Sequence, residues 1–235
     1  MVTISVQLNP SANTTASNPT DSVHALGPQI PMAWLSSTAV KSSSEFSSLP
    51  KLTQTFLQKV PSYEVVTTIS PPALYDLPPD ACVMRFTLCV MNAESKGSIT
   101  LASSDPSAPP NIDVNYISHP YDRRVAIEGL RELIAYSRMP AFAKITEKMI
   151  EGPEGDSEEE IWAHVKKGVE PVFHFAGTCR MGREEDDMAV VDKEFRVRGV
   201  TGLRVVDHSI APLMVNNHTQ STCYLIVSWF PTVLY

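Results

Sequence analysis

Two histidines in the second half of the chain are the residues with the clearest potential for chemistry. His174 opens the segment 174–182, in which a Gly-Thr turn and a second glycine follow the imidazole. His218 lies within the segment 216–220, Asn-Asn-His-Thr-Gln, beyond a valine-rich run that ends at Asp207. An imidazole can take up or release a proton near neutral pH, because its unperturbed pKa is about 6.5. The sequence therefore predicts a site with two imidazoles, which needs another molecule to act on.

The composition limits the classes of protein that could present such a site. The chain has 235 residues, a net charge of −7, 43% hydrophobic residues and 19% charged residues. This length is enough for one large domain or two small ones with a sizeable core. A negative chain without a cluster of lysines and arginines argues against a nucleic-acid partner. The sequence has no apolar run of about 18 residues and no secretory leader pattern, so we expect no membrane partner and favour a cytoplasmic location.

The four cysteines do not predict a metal site. Cys82, Cys89, Cys179 and Cys223 lack the close spacing of metal ligands. Cys82 and Cys89 are seven residues apart in one strand-like run, so their side chains should point to opposite faces of a sheet. Buried free thiols in a reducing compartment are favoured over disulfides.

The elements that must position the histidines begin with strands. Residues 2–8 alternate between apolar and polar side chains, which predicts a strand. Residues 11–50 are rich in Ser, Thr, Asn and Pro, which predicts loop, and a short helix is expected between 47 and 60. Further β-branched or apolar runs separated by Pro-rich loops predict an antiparallel sheet, with strands near 63–69, 81–92, 96–101 and 112–116.

Two longer helices follow, and then three short apolar runs. Pro120 and Asp122 indicate the start of a helix that continues to about residue 137. Ser157 and Glu160 form a capping-box pattern that predicts a second helix. The later apolar runs indicate short strands at 188–191, 195–197 and 203–207, and residues 222–230 predict a helix.

Three blocks of the sequence match one family in order and spacing. The first spans 96–131, with Pro-Pro at 109–110, His-Pro at 119–120 and Glu-Gly-Leu-Arg at 128–131. The second is His-x-x-Gly-Thr-Cys-Arg-Met-Gly at 174–182. The third runs from Val-Asp at 191–192 through Leu-Arg-Val-Val-Asp at 203–207 to His-Thr at 218–219. The chain resembles the C-terminal half of the glucose–methanol–choline (GMC) flavoprotein oxidoreductases.

The resemblance implies an α+β fold with two parts. Residues 1–170, loop-rich at 11–50, would form a substrate-binding domain, in which an antiparallel sheet is backed by helices. Residues 171–235 would form a C-terminal return segment whose strands complete a Rossmann-like FAD domain. Family members begin with that FAD domain and its Gly-x-Gly-x-x-Gly turn, which this sequence does not contain. We therefore expect a C-terminal fragment or truncated product whose missing partner is an N-terminal FAD domain.

The resemblance also implies a reaction. In the family a hydride passes from the CH–OH carbon of an alcohol to FAD while a histidine takes the hydroxyl proton. His174 matches that base, and His218 matches the residue that hydrogen-bonds the substrate oxygen. The residues near the cofactor would be Asp207, His208, Thr219 and Gln220, although Asp207 is equally interpreted as a turn-forming cap.

Two other functions fit the same residues. Some members of the family keep the fold and use the site for acid–base cyclisation without net redox chemistry. A flavin-free remnant that binds a small molecule or a partner chain is the third hypothesis, and the missing dinucleotide motif favours it for the isolated chain. We expect the isolated chain to retain little or no flavin.

Overall fold

The computed structural model describes residues 1–9, 31–70, 72–79 and 81–234, apart from the side chains of 230–234. These residues form two compact units. The first unit combines Met1–Ala93 with Ile117–Glu170, and the second combines Glu94–Tyr116 with Pro171–Tyr235. The chain thus passes into the second unit after Glu170, and the segment 94–116 also belongs to that unit.

The described residues contain short and long elements in both units. The strands are β1 (Val2–Leu8), β2 (Met32–Leu35), β3 (Tyr63–Ser70), β4 (Cys82–Val90), β5 (Ser98–Thr100), β6 (Asn111–Asp113) and β7 (Thr146–Glu151). The helices are α1 (Thr38–Lys41), α2 (Ser44–Ser47), α3 (Lys51–Leu57), α4 (Pro120–Ser137), α5 (Pro140–Ala143), α6 (Glu158–Gly168) and α7 (Gln220–Leu234). Two 3₁₀ helices span Pro72–Tyr75 and His208–Ile210.

Five strands of the first unit form one antiparallel sheet in the order β2-β3-β4-β1-β7. The register pairs Ile4 with Phe86 and Val65 with Leu88, so these four side chains share one face of the sheet. All four are buried in a single apolar core with side chains of α4 and α6. The predicted antiparallel sheet backed by helices is confirmed.

The helix α4 begins and packs as its sequence predicts. The ring Nδ1 of His119 accepts a hydrogen bond from the backbone N–H of Tyr121 at 3.2 Å, and Pro120 occupies the first turn. Gly129 lets the helix lie close to β4, because a Cβ added there would be 2.3 Å from Leu88 Cδ1. The predicted capping box of α6 is also present.

The segment predicted as loop differs from the structure. Residues 11–30 lie outside the described residues, but 31–50 contain β2, α1 and α2. The serines that suggested loop are helix caps: Ser37 Oγ accepts from Val40 N–H at 3.2 Å, and Ser43 Oγ accepts from Phe46 N–H at 3.1 Å. Composition alone does not distinguish a capping serine from a loop serine.

The second unit has less regular structure than the sequence predicts. The strands β5 and β6 pair only with each other, and all six of their residues are exposed. The runs 188–191, 195–197 and 203–207 are not strands, so that prediction is wrong. Single bridges join Val191 to Met181 and Val197, and Arg196 to Arg204. A strand needs a neighbour along several residues, and these runs have only isolated pairings. The helix α7 confirms the helix predicted at 222–230.

The structure also bears on the predictions for the cysteines and for membrane-spanning helices. All four cysteines are free thiols, with Cys82 and Cys89 buried and Cys179 and Cys223 half-buried. Burial raises the pKa of Cys89 to about 11. Among the helices of the described residues, none has the length and apolar character needed to cross a membrane.

Candidate active site

The segment that bears His174 is fixed by backbone hydrogen bonds within the second unit. The backbone N–H of Cys179 donates to the carbonyl of Ser209 at 3.0 Å, and that of Met181 donates to the carbonyl of Ile210 at 2.8 Å. Gly177 has φ +83°, a left-handed conformation that favours glycine. After the Gly-Thr turn, the segment that begins with His174 therefore lies against the 3₁₀ helix at His208–Ile210.

The far end of the segment is closely packed. A Cβ added at Gly182 would be 2.6 Å from Ala189 Cβ, so only glycine fits without a shift. The carbonyl of Arg180 accepts from Val190 N–H at 2.9 Å, and the Arg180 guanidinium contacts the Asp186 carboxylate at 2.6 Å. These contacts join the histidine segment to the loop 183–190.

A small apolar cluster lies beneath these loops. Val191, Phe195 and Ile210 are buried against partly buried side chains that include Met181 and Ile226. Ile226 belongs to α7, so the cluster links the histidine segment to the helix that follows His218. The apolar runs predicted as strands thus form a core for the site without forming a sheet.

The structure brings the two predicted imidazoles together. The ring centroids of His174 and His218 are 5.2 Å apart, and the ring planes meet at 79° in an edge-to-face arrangement. His174 is half-buried and His218 is exposed. Two adjacent imidazoles can accept a proton from one group of a ligand and hydrogen-bond another.

The residues predicted near a cofactor differ in how exposed their polar groups are. The Asp207 carboxylate is exposed and accepts from Ser209 N–H at 2.8 Å, which caps the 3₁₀ helix. Gln220 is exposed and Thr219 half-buried where α7 begins. Polar groups of Asp207 and Gln220 are therefore open to a hydrogen-bonding ligand.

His208 differs from these residues because its ring is enclosed. It is 8% exposed, and its Nδ1 is 2.8 Å from the carbonyl oxygen of Phe175. Its Nε2 is buried and has no hydrogen-bond partner among the described residues. This leaves no exposed ring nitrogen for a cofactor contact. The bond to Phe175 could not be predicted from the sequence, because every residue has a backbone carbonyl.

An open depression of about 450 Å³ lies elsewhere in the unit and is lined by Asp192, residues 196–198 and residues 200–204. Its three arginines already have partners: Arg196 contacts Asp192, Arg198 donates to the carbonyl oxygens of Gly182 and Asp186, and Arg204 donates to that of Glu194. The depression therefore indicates no anion site, and the two adjacent imidazoles are the candidate site. Within the described ranges, no three His, Cys, Asp or Glu side chains are grouped as metal ligands would be.

Comparison with known proteins identifies the family. The C-terminal model of the GMC oxidoreductases matches residues 93–226, which is more than half of the chain. The chain belongs to the GMC oxidoreductase family. The match covers both imidazoles and all the residues predicted near a cofactor, so the resemblance based on the three sequence blocks is confirmed.

Individual GMC relatives match the same part of the chain. The dehydrogenase pkfF of Emericella nidulans is 42% identical over 137 residues, which are 56% of this chain and 22% of that protein. The choline oxidase of Arthrobacter globiformis is 37% identical over 140 residues, which are 58% of this chain and 26% of that protein. The chain thus matches about a quarter of the length of these relatives.

Solved structures of GMC proteins show the same fold. A structure of formate oxidase from Aspergillus oryzae superposes with a TM-score of 0.73 at 19% identity, covering 99% of this chain and 45% of that chain. A fungal aryl-alcohol oxidase superposes with a TM-score of 0.66 at 19% identity, covering 100% of this chain and 47% of that chain. The fold of this chain is therefore the fold of slightly less than half of those proteins.

Proposed function

We propose that this chain is the substrate-handling part of an FAD-dependent oxidoreductase that acts on the CH–OH group of a small alcohol. The observation that supports this most directly is the 5.2 Å separation of the His174 and His218 rings. It agrees with the activities of relatives, which include an alcohol dehydrogenase of Pseudomonas putida and the choline oxidase. Membership of the GMC family supports the cofactor.

The two imidazoles have different roles in this proposal. His174 is half-buried on a segment fixed by backbone bonds, which suits a base that must meet the substrate hydroxyl in one position. His218 is exposed beside it and donates a hydrogen bond to the substrate oxygen as negative charge develops there. FAD, when bound, supplies the two-electron acceptor that no side chain provides.

The cofactor-facing residues are those with exposed polar groups. In this proposal the Asp207 carboxylate and the Gln220 amide bind polar atoms of FAD, together with the backbone at Thr219. The dinucleotide-binding turn is supplied by an N-terminal FAD domain of the GMC type, which is the partner that we propose for this chain.

Reconstitution tests this proposal and separates it from the other two hypotheses. The purified chain would be mixed with the separately expressed FAD-binding part of a GMC relative, and then assayed with a panel of small alcohols. We expect aldehyde product in step with reduction of an electron acceptor. An isomerised or cyclised product without electron transfer would support the cyclase. Full flavin occupancy of the chain alone would contradict the proposed need for a partner and the flavin-free remnant.

The base assignment needs a matched histidine control. His174→Ala should lower turnover by about 10²–10⁴-fold, the usual contribution of a positioned acid–base group. His164→Gln is the control, since His164 lies in α6 of the first unit and bonds the carbonyl of Thr3. Wild-type turnover in the His174→Ala enzyme would refute the role of His174.

A further inference from the structure

We propose that His208 is a positioning residue that fixes the backbone beside His174. This inference rests on the proposed function, in which His174 is the base. The residue lies at the start of the 3₁₀ helix His208–Ile210, and Asp207 caps that helix through its contact with Ser209 N–H. The imidazole is therefore anchored by a short, capped element rather than by a flexible loop.

The hydrogen bond from His208 requires one tautomer. A carbonyl oxygen can only accept, so the His208 Nδ1 that lies 2.8 Å from the carbonyl of Phe175 must bear the hydrogen. The neutral ring then has no hydrogen on Nε2, which is the buried nitrogen without a partner among the described residues. The nitrogen without a partner is then an acceptor, which agrees with the rarity of buried N–H groups that have no acceptor.

The bond acts on the backbone next to the proposed base. Phe175 directly follows His174, and Phe173 on the other side has φ +59°, which is unfavourable for a residue with a Cβ. The bonds from Cys179 and Met181 reach the same turn but begin four or more residues farther along. The His208 side chain is thus placed to keep His174 in its edge-to-face position against His218.

Two substitutions distinguish the role of one ring nitrogen from that of the other. The amide of asparagine reaches roughly the position of Nδ1, whereas the amide of glutamine reaches roughly that of Nε2. We expect His208→Asn to preserve the nuclear Overhauser cross-peak between the His174 and His218 rings in the 235-residue chain. His208→Gln and His208→Ala should abolish it. A cross-peak that persists in all three variants, or that is lost in His208→Asn as well, would overturn the proposal.

His164 is a matched control because it uses the opposite nitrogen. Its Nε2 lies 2.6 Å from the carbonyl of Thr3, so glutamine rather than asparagine should replace it there. The readout is amide exchange along β1, which should stay slow in His164→Gln and become faster in His164→Asn. Neither variant should change the cross-peak between His174 and His218.

The wild-type chain gives a test that does not depend on any variant folding. Long-range ¹H–¹⁵N correlation spectra distinguish the two neutral tautomers of histidine. We expect His208 to bear its hydrogen on Nδ1, and a ring with its hydrogen on Nε2 and none on Nδ1 would overturn the proposal. Loss of the proposed function, shown by full turnover of His174→Ala after reconstitution, would leave the tautomer and cross-peak results unchanged, so the two failures are distinguishable.

Discussion

The two units of the chain are built in different ways. The first buries a continuous core between an antiparallel sheet and the helices α4 and α6. The second contains a separate small cluster around Val191, Phe195 and Ile210. Most of the exposed large apolar side chains of the described residues belong to the second unit, although it is the smaller one. In α7 they include Tyr224, Leu225 and Trp229.

The two units also differ in how their backbones are hydrogen-bonded and in which of them contains the proposed active site. The backbone of the first unit is hydrogen-bonded mainly in its sheet and helices, whereas the second unit, apart from the β5–β6 pair and α7, relies on single bridges, turns and contacts between arginines and carbonyl oxygens. The proposed active-site residues all lie in the second unit. Exposed apolar side chains in such numbers are typical of a surface that contacts another protein or a ligand.

The largest effect should come from the core of the first unit. Phe86→Ala removes a fully buried ring that makes edge contacts with Tyr136 and Phe142, and should lower the free energy of unfolding by about 3–5 kcal/mol. Leu101→Ala, at an 86% exposed position of the second unit, is the control and should change it by less than about 0.5 kcal/mol. Urea unfolding followed by circular dichroism measures both. Equal effects would contradict the contribution of the buried Phe86 ring to the core of the first unit.

A smaller effect should come from close packing in the second unit. Gly182→Ala forces a Cβ toward Ala189 and Asp186 and should cost about 1–3 kcal/mol. Gly168→Ala in the first unit is the matched control, because a Cβ there meets nothing within 4 Å. Amide exchange of residues 180–191 should become faster in the first variant only. Unchanged exchange in Gly182→Ala would show that this loop is not closely packed.

Thiol reactivity should also distinguish the units. Cys89 should react with an aromatic disulfide more than roughly tenfold more slowly than Cys223, because burial hides its sulfur and raises its pKa to about 11. Single-cysteine variants, with the other cysteines replaced by serine, allow each rate to be followed by absorbance. Similar rates for the two native variants would contradict the burial of Cys89, whereas a native difference that disappears on unfolding would support it.

The smallest effect concerns acid sensitivity of the second unit. Partial burial opposes ionisation of Asp192, but backbone N–H groups and the Arg196 guanidinium hold its pKa below the ordinary value. A carboxylate with a lowered folded-state pKa stabilises the fold above its unfolded pKa of about 3.9, and this contribution is lost as the pH falls through the folded value. The difference in melting temperature between wild type and Asp192→Asn should therefore shrink in acid. A difference independent of pH would argue against the ion pair.

Much of the first unit could be predicted from sequence, because its signals are local. The alternation in β1, the long apolar run of β4 and the capping residues of α4 and α6 all correspond to observed elements. The strand β7 (Thr146–Glu151) was missed. It is rich in charged residues and is a strand because it pairs with β1, which is more than a hundred residues away in sequence.

The second unit was predicted less well for a related reason. Its apolar runs have strand composition, yet a strand forms only where another strand lies beside it over several residues. The positions of His174 and His218 could be recognised from the blocks that contain them, and the structure adds their 5.2 Å separation. The link from His208 to the carbonyl of Phe175 required coordinates, because only the side-chain partner is visible in the sequence.

The central claim is that His174 is the base of an FAD-dependent oxidation. Its most direct test is the rate at which an alcohol bleaches the flavin after the chain has been reconstituted with an FAD-binding part, measured by anaerobic rapid mixing. We predict that His174→Ala slows this step by about 10²–10⁴-fold while His164→Gln leaves it unchanged. Equal rates of bleaching in the wild-type and His174→Ala proteins would contradict the claim.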